Sequence, residues 1–223
     1  MIISVYNLKG GTGKTSIALN LAKTRNSYFI ENDIIGVSDV FNKHGQLDTA
    51  RNFSETKKIP IIDNVVYDFG GHLDKRITPV LAKSDLVVVP TLHSYQDIKS
   101  TISMIESLLN IKQKNILVVI NKVGTRAVKT SSDGNPLFSE YEKTKVTILD
   151  HLEERIGKRK HKIMFMMLRE SKAWHHSTYR GDSILHMAEE DSRLRYSFRN
   201  SITDLNRLLK VVKHYEEKSV GKE

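Results

Sequence analysis

Residues 6–16 have the sequence YNLKGGTGKTS, which brings three glycines and two lysines together in one short loop. The apolar run IISVY (2–6) leads into this stretch, and SIALNLAK (16–23) follows it with apolar residues at helical spacing. Glycines let successive backbone N–H groups converge on phosphate oxygens, and the N-terminus of a following helix favours the same negative charge. The stretch therefore predicts a phosphate-binding loop between the first strand and the first helix.

The side chains of this loop have separate expected roles. A strand, a glycine loop and a helix in this order are the context of a P-loop, in which Lys14 would reach the β- and γ-phosphates and the Thr15 hydroxyl would bind Mg²⁺. The strand and helix on either side argue against the alternative, an ordinary glycine turn with an incidental Gly-Lys-Thr. The other residues predicted to bind the nucleotide are Gly10, Gly11, Thr12, Gly13 and Ser16.

The composition is that of an ordinary globular protein. The 223 residues, 39% hydrophobic and 27% charged, suffice for one substantial core, so we expect a single domain over 1–223. No run of about 18 apolar residues occurs, and the first residues predict a strand instead of a secretory signal. The absence of cysteine excludes thiolate metal sites, iron–sulfur clusters and disulfides. A cytoplasmic location without membrane attachment is the expectation.

The charge favours a polyanionic partner. The formal net charge is +9, with 35 lysines and arginines against 26 acidic residues. Such an excess is typical of proteins that bind nucleic acid. The alternative is a solvated lysine-rich surface, and charge alone does not separate the two.

Short apolar runs alternate with helical patterns along the chain. Runs rich in valine and isoleucine, bounded by helices, predict βαβ units with strands buried on both faces. The fold class is therefore α/β, with a mainly parallel, doubly wound sheet flanked by helices. After the first strand, the predicted strands are SYFIEN (27–32), NVVYDF (64–69), DLVVVP (85–90), NILVVIN (115–121) and KIMFMM (162–167). Helices are predicted within 97–109 and 138–156, and an exposed loop over 123–137.

The C-terminal part predicts one long amphipathic helix over about 189–217. Its apolar residues recur at alternating four- and three-residue steps: Phe198, Ile202, Leu205, Leu209 and Val212. We expect this stripe to pack on the sheet; an intermolecular coiled coil is the alternative.

One departure from the usual P-loop pattern points to a narrower group. The pattern G-x-x-x-x-G-K-[ST] has glycine where this chain has Leu8, and Lys9 stands directly before the glycine pair. KGGTGKTS therefore resembles the deviant Walker A motif of the ParA/MinD family of ATPases. The resemblance implies that Lys9 is the signature lysine, which crosses a dimer interface to the phosphates bound by the other subunit. A second cation suits a transition state in which charge builds on the transferred group.

The resemblance continues into the second strand. IENDIIG (30–36) is similar to the family's D-x-D-P-Q-G segment, although Glu31 replaces the first aspartate and Ile34–Ile35 replace Pro–Gln. By this resemblance, Asp33 is the carboxylate that orients the attacking water. The alternative for Asp33 is a simple turn or cap residue.

VVYDFGG (65–71) resembles the family's Walker B segment. Asp68 would then hold Mg²⁺ through water, and Gly70 and Gly71 would let the loop approach the γ-phosphate. The alternative for Asp68 is again a cap at a strand end.

The segment VVINKVG (118–124) bears on the choice of base. It resembles the guanine-binding N-K-x-D motif but has Gly124 in place of the aspartate that pairs with guanine, so ATP is favoured. By family resemblance, Asn121 approaches the adenine. For Lys122 we favour surface solvation over a base contact.

The partner is inferred from the end of the chain. The stretch KHYEEKSVGKE (213–223) is polar, unlike the apolar C-terminal helix of membrane-bound relatives. Membrane attachment is therefore not expected, and the partition ATPases that bind DNA non-specifically as ATP dimers are the better match. Because the P-loop begins at once and the stretch between Gly36 and Asp68 is brief, the chain resembles their short plasmid-type members. In LRESKAWHHSTYRGDS (168–183), the candidate DNA contacts are Arg169, Lys172 and Arg180. Further positive charge comes from Arg193, Arg195, Arg199 and the run GKRKHK (157–162).

The resemblance implies an ATPase of plasmid or chromosome partition. It would bind ATP and Mg²⁺, form an ATP-dependent homodimer on nucleoid DNA, and hydrolyse ATP slowly until a ParB-like partner stimulates it. Two alternatives remain: an accessory ATPase of conjugative transfer or another cargo system, and an ATP-dependent ligase acting on a small carboxylate. The ligase reading leaves the basic surface without a use.

Overall fold

The computed structural model describes residues 1–33, 50–72, 74–124, 129–130, 136–137, 139–157 and 163–220. Ile34–Ile35 and most of the basic run at 157–162 lie outside these residues.

Seven parallel strands form the central sheet of the described chain. The strands are β1 (Ile2–Val5), β2 (Tyr28–Glu31), β3 (Ala50–Asn52), β4 (Val65–Asp68), β5 (Leu86–Thr91), β6 (Ile116–Val123) and β9 (Ile163–Arg169). Their order across the sheet is β3-β2-β4-β1-β5-β6-β9, and every neighbouring pair runs in parallel. The predicted α/β class with a parallel sheet is confirmed.

The predicted exposed loop over 123–137 needs a correction. Strand β6 continues to Val123, and β7 (Lys129–Thr130) and β8 (Pro136–Leu137) pair with each other as a short antiparallel ladder. Backbone hydrogen bonding between two nearby segments is not visible in a run of turn formers and charges. A second small addition is β3, three residues long, which extends the sheet beside β2.

Eight helices lie in the described part of the chain. They are α1 (Lys14–Arg25), α2 (Ile77–Lys83), α3 (Tyr95–Asn110), α4 (Ser139–Ile156), α5 (Lys172–Arg180), α6 (Ile184–Glu190), α7 (Ser192–Ser197) and α8 (Arg199–Val220). None of them combines the length and the apolar character that crossing a bilayer would require.

The two faces of the sheet carry separate apolar cores. Alternate strand residues point to opposite faces, so Val88 belongs to one core and Val87 to the other. Helices α1, α5, α6 and α8 cover the first face, and α2, α3 and α4 cover the second. Burial on both faces explains the nearly continuous apolar strand sequences.

The C-terminal helix is shorter than predicted at its start. Asp191 has an extended backbone, and its side chain accepts a hydrogen bond from the Arg193 N–H, which ends α6 and begins α7. A further turn at Phe198 separates α7 from α8. The predicted apolar stripe nevertheless packs on the first core, with Leu205 and Val212 fully buried. The capping aspartate is why one continuous helix over 189–217 does not form.

Parallel topology places the polar strand ends at one edge of the sheet. The phosphate loop follows β1, Asp68 ends β4, and Asn121 lies near the end of β6. In open parallel sheets, ligands bind outside this carboxyl edge.

Candidate nucleotide site

A cavity of about 550 Å³ opens at the carboxyl edge of the sheet. It brings together most of the predicted nucleotide-site residues, including Lys14, Asp33 and Asp68. Among the residues that line it are also Gly10, Gly11, Gly13, Thr15, Ser16 and Asn121. The segments 121–122 and 169–175 border it as well. Thr12, which is buried, Lys9 and Arg180 are not among its lining residues.

Asn121 supports the phosphate loop through a hydrogen bond to its backbone. The Asn121 amide Nδ2 donates to the Thr12 carbonyl at 2.9 Å, and its Oδ1 accepts from the Lys122 N–H at 2.8 Å. Gly13 has φ +93°, and a Cβ there would collide with the Asn121 amide. Glycine is therefore required at position 13 for both backbone conformation and space. The structure gives Asn121, which is predicted to approach the adenine, a contact that holds the phosphate loop in shape.

Lys14 is directed inward. It is only 8% exposed, and its ammonium donates to the Lys9 carbonyl at 3.0 Å. Burial lowers the pKa of Lys14, while the nearby carboxylates of Asp68 and Asp33 act in the opposite direction. An ammonium that is held among backbone groups beside two carboxylates is placed to meet the oxygens of a polyphosphate.

Lys9 has the opposite placement. Its residue is exposed, and its backbone N–H donates to the Asn7 side chain at 3.2 Å. Its carbonyl accepts from Lys14 and, at 3.4 Å, from the Thr12 hydroxyl. The backbone of Lys9 is thus part of the loop, while its side chain lies outside the cavity.

Asp68 is the buried acid of the site. Burial raises its pKa to about 7, the hydrogen bond from the Thr15 hydroxyl opposes the rise, and neighbouring Glu31 adds to it. Its Oδ1 is buried and accepts no hydrogen bond from the part of the chain that the structure describes. Leaving a carboxylate oxygen without a partner in such a place is costly. A hard divalent cation such as Mg²⁺, with Thr15 and Asp68 as its oxygen donors, fits this arrangement.

Asp33 lies at the mouth of the cavity, next to the loop that follows β4. Its residue is exposed, and its backbone carbonyl accepts from the Asn52 amide at 2.7 Å. Its Oδ2 would be 3.4 Å from a Cβ at Gly70. The backbone of Asp33 is therefore held by β3, and the residue lines the same cavity as Lys14.

Close packing of two loops depends on Gly71. A Cβ at this position would be 2.8 Å from the Leu8 carbonyl and 3.4 Å from the Lys14 ammonium nitrogen. No larger residue fits without moving the phosphate loop. The loop after β4 consequently rests directly on the loop after β1.

Three residues that support this site could not be identified from the sequence. Asn32, Asp74 and Arg76 form a hydrogen-bonded chain that begins at the Gly70 N–H. They match no motif spacing, because the chain joins residues that are 38 and 42 positions apart. Only folding brings them together.

The candidate DNA contacts have different surroundings. Arg169 pairs with the fully buried Asp204 at 2.7 Å and also bonds Asn200, so its side chain is only 16% exposed. Lys172, at the start of α5, is exposed beside the cavity. Arg180, at the end of α5, pairs with Glu190 at 3.0 Å on the surface. Lys172 and Arg180 are therefore better placed for phosphate contacts than Arg169.

The segment after β9 continues the strand pairing and leads into α5. Glu170 extends the strand pairing by donating its N–H to the Val123 carbonyl at 2.8 Å, and Ser171 caps α5. Trp174, predicted as a packing or interface residue, is 7% exposed, belongs to the first core and also lines the cavity. This segment therefore forms part of the cavity wall.

Solved structures resemble the whole chain. MinD of Pyrococcus horikoshii, complexed with Mg-ADP, matches at a TM-score of 0.54 and 14% identity, covering 96% of this chain and 98% of that one. A ParA family ATPase from Chlorobium tepidum matches at 0.54 and 17%, covering 93% and 97%. Apo McdA of Cyanothece matches at 0.53 and 13%, covering 92% and 98%. No protein-family model and no curated protein sequence matches the chain.

These similarities and the observed topology agree over nearly the full length. The parallel sheet, the phosphate loop after its first strand and the acidic end of β4 occur together in the described residues. The chain has the fold of the ParA/MinD family of deviant Walker A ATPases.

Proposed function

We propose that the protein is a ParA-like ATPase that dimerises on binding ATP and Mg²⁺, binds DNA non-specifically and acts in plasmid or chromosome partition. Its slow hydrolysis would be stimulated by a ParB-like partner, and its location would be cytoplasmic, on the nucleoid. One observation carries the proposal: of two lysines in one loop, Lys14 is buried in the cavity and Lys9 is exposed outside it. An exposed cation beside a phosphate site is free to serve a second copy of the chain.

In the proposed reaction, water attacks the γ-phosphorus as the bond to the β–γ bridging oxygen breaks, releasing ADP and phosphate. Asp33 would orient that water from the mouth of the cavity. Lys14 and the partner subunit's Lys9 would stabilise the charge on the transferred group. Bound Mg²⁺, held through Thr15 and Asp68, would offset charge on the β- and γ-oxygens.

The DNA surface would lie around α5 and α7. Besides Lys172 and Arg180, this surface would include Arg193, whose side chain is 90% exposed, and Arg199, which lies over the exposed ring of Tyr196. Contacts from such residues to phosphates bring affinity without sequence information. Dimerisation would place two copies of this surface on one duplex.

The test compares DNA binding without nucleotide and with ADP, ATP and a non-hydrolysable ATP analogue. We expect tight binding to random-sequence duplex with ATP or the analogue only, together with a dimer in gel filtration. Lys14→Ala should lose nucleotide binding, because the phosphates lose their main side-chain cation. Lys9→Ala should bind nucleotide yet neither dimerise nor gain DNA affinity.

A matched control is Lys83→Ala, which removes an exposed lysine at the end of α2, near the opposite edge of the sheet. It should behave as wild type in each assay. Equal DNA affinity with and without ATP, or a sequence-specific footprint, would contradict the proposal.

A further inference from the structure

Asn32 lies between β2 and the catalytic candidate Asp33, and both the oxygen and the nitrogen of its side-chain amide form hydrogen bonds. The residue is 1% exposed. Its Oδ1 accepts the Gly70 N–H at 2.8 Å, and its Nδ2 donates to Asp74 Oδ2 at 3.0 Å. One side chain therefore ties the second strand to both ends of the loop that follows β4.

Asp74 is in turn anchored by Arg76. The guanidinium donates to Asp74 through Nε at 3.0 Å and Nη2 at 2.7 Å, and the Arg76 N–H adds a bond at 2.9 Å. Arg76 also donates to the carbonyls of three residues after β3: Phe53, Ser54 and Thr56. These hydrogen bonds therefore connect three segments of the chain: the end of β2, the loop after β4 and the residues after β3. We call this network the brace.

The braced loop lies beside both Asp33 and Lys14. Gly70 adjoins the Asp33 carboxylate, and Gly71 lies against the phosphate loop and the Lys14 ammonium. A shift of this loop would change the distance from Asp33 to anything bound beside Lys14. A misplacement of about 1 Å can cost about 100-fold in rate.

We propose that Asn32 is a positioning residue for ATP hydrolysis, which holds the Gly70 N–H and thereby sets the loop between Asp33 and Lys14, with Asp74 and Arg76 as its anchor. The inference rests on the proposed ATPase function. It assigns Asn32 an effect on turnover and little effect on nucleotide binding, since no atom of Asn32 lines the cavity. A residue that only stabilised the fold would change neither quantity in properly folded protein.

Gln113 provides a matched control. Its amide is 6% exposed and, like that of Asn32, bridges backbone groups of different segments: it donates to the carbonyls of Leu81 and Ser84 and accepts the Asn115 N–H. These groups lie near the amino ends of β5 and β6, away from the cavity. Gln113→Ala therefore removes a comparable buried amide without touching the brace.

The experiment measures single-turnover ATP hydrolysis and the affinity for a fluorescent ATP analogue in the full chain. Asn32→Ala should hydrolyse about 10- to 100-fold more slowly, with affinity within about threefold of wild type. Gln113→Ala should retain the wild-type rate in protein that melts in one transition. Equal rates for Asn32→Ala and wild type would overturn the inference.

If Asn32→Ala folds poorly, exchanging the side chains of positions 32 and 74 provides a second test, which leaves the net charge unchanged. Asn32→Asp keeps an acceptor for the Gly70 N–H but puts a second carboxylate against Asp74, so it should be slow. Adding Asp74→Asn restores a donor between positions 32 and 74 and loses only the Arg76 bonds to Asp74 Oδ2. The double variant should be about tenfold faster than Asn32→Asp alone, because contacting residues are not additive. Additive losses would overturn the inference. Absence of hydrolysis in wild type would instead contradict the proposed function itself.

Discussion

At the scale of single residues, the two lysines of the phosphate loop differ in exposure because the glycine turn between them directs their side chains differently. Lys14 begins α1 and turns back over the loop to the Lys9 carbonyl, so it is nearly buried. Lys9 precedes the turn and remains exposed. The same loop can therefore supply one cation to its own cavity and present another outward. Residue type alone does not distinguish them; the backbone path does.

The Asp33→Ala variant tests the role of the exposed carboxylate. We expect it to bind ATP and dimerise like wild type, because Lys14, Thr15 and Asp68 remain in place. Hydrolysis should fall by about two to four orders of magnitude in a well-coupled site, and by less in a slow basal ATPase. Rapid-quench measurement of phosphate release checks this. Wild-type turnover would transfer the role to Glu31 or to backbone groups.

At the scale of elements, the pair of Arg169 and Asp204 joins the edge strand β9 to α8. Asp204 is fully buried and also accepts the Arg169 N–H at 2.9 Å. Arg207, one turn along α8, lies 3.8 Å from the same carboxylate. The pair explains how a helix of mixed charge is held against the sheet edge beside the cavity.

Arg169→Ala should therefore act on stability. The variant leaves a buried carboxylate with only the backbone bond and the longer contact to Arg207, which should lower the free energy of unfolding by about 3 kcal/mol. Urea denaturation measures this loss, and Lys172→Ala, which removes an exposed lysine three positions later, serves as the control. If Arg169→Ala has the urea midpoint of wild type but binds DNA weakly, Arg169 contacts DNA and the stability role is wrong.

The anchor of the loop after β4 predicts a dependence of stability on pH. The Arg76 hydrogen bonds, opposed by partial burial, lower the pKa of Asp74 to about 2. A carboxyl group whose folded pKa is depressed stabilises the fold above its unfolded pKa of about 4, and that contribution is lost as the pH falls toward 2. The free energy of unfolding of wild type should exceed that of Asp74→Asn by about 2 kcal/mol at pH 7. This difference in stability should shrink as the pH falls from 4 to 2.

Denaturant titrations of both proteins across this range provide the measurement. Glu216→Gln is a useful comparison, because its carboxyl pKa is also lowered by an arginine, Arg25, but far from the loop. A pH-independent difference between wild type and Asp74→Asn would contradict the assignment.

At the scale of the whole molecule, the distribution of positive charge suggests how ATP could control DNA binding. The excess of +9 is spread over the chain, and several arginines, including Arg25 and Arg155, are paired with carboxylates. Among the described residues, these ion pairs reduce the number of exposed cations that one subunit can present to DNA. A dimer would double the number facing a duplex.

DNA affinity of the ATP-bound protein should therefore fall steeply with salt, by about 0.9 log units per log unit of salt for each phosphate neutralised. Arg180→Ala should weaken binding equally on all sequences and reduce this slope, while dimerisation is unchanged. Salt titrations on two duplexes of unrelated sequence, run beside gel filtration, measure both effects. An unchanged salt dependence would show that Arg180 does not contact DNA phosphates.

The sequence by itself determined the parts that depend on local patterns. The order of strand, glycine loop and helix around Lys14 needs only neighbouring residues, and so does the apolar run that ends at Asp68. Apolar runs without alternation also determined the parallel sheet, because strands covered on both faces bury every residue. Since parallel strands share a carboxyl edge, these local signals were sufficient to assemble the core of the site.

Only the tertiary structure decided which polar groups meet across that edge. Asn121 and Thr12 are 109 positions apart, Arg169 and Asp204 are 35 apart, and Asn32 reaches Gly70 over 38 positions. A buried polar group must find a hydrogen-bonding partner, but the requirement does not specify which partner, since many segments carry suitable donors. The same reason explains the break at Asp191, where a side chain caps the next helix. The register of the strands and the packing of the loops determine which of these polar groups form pairs.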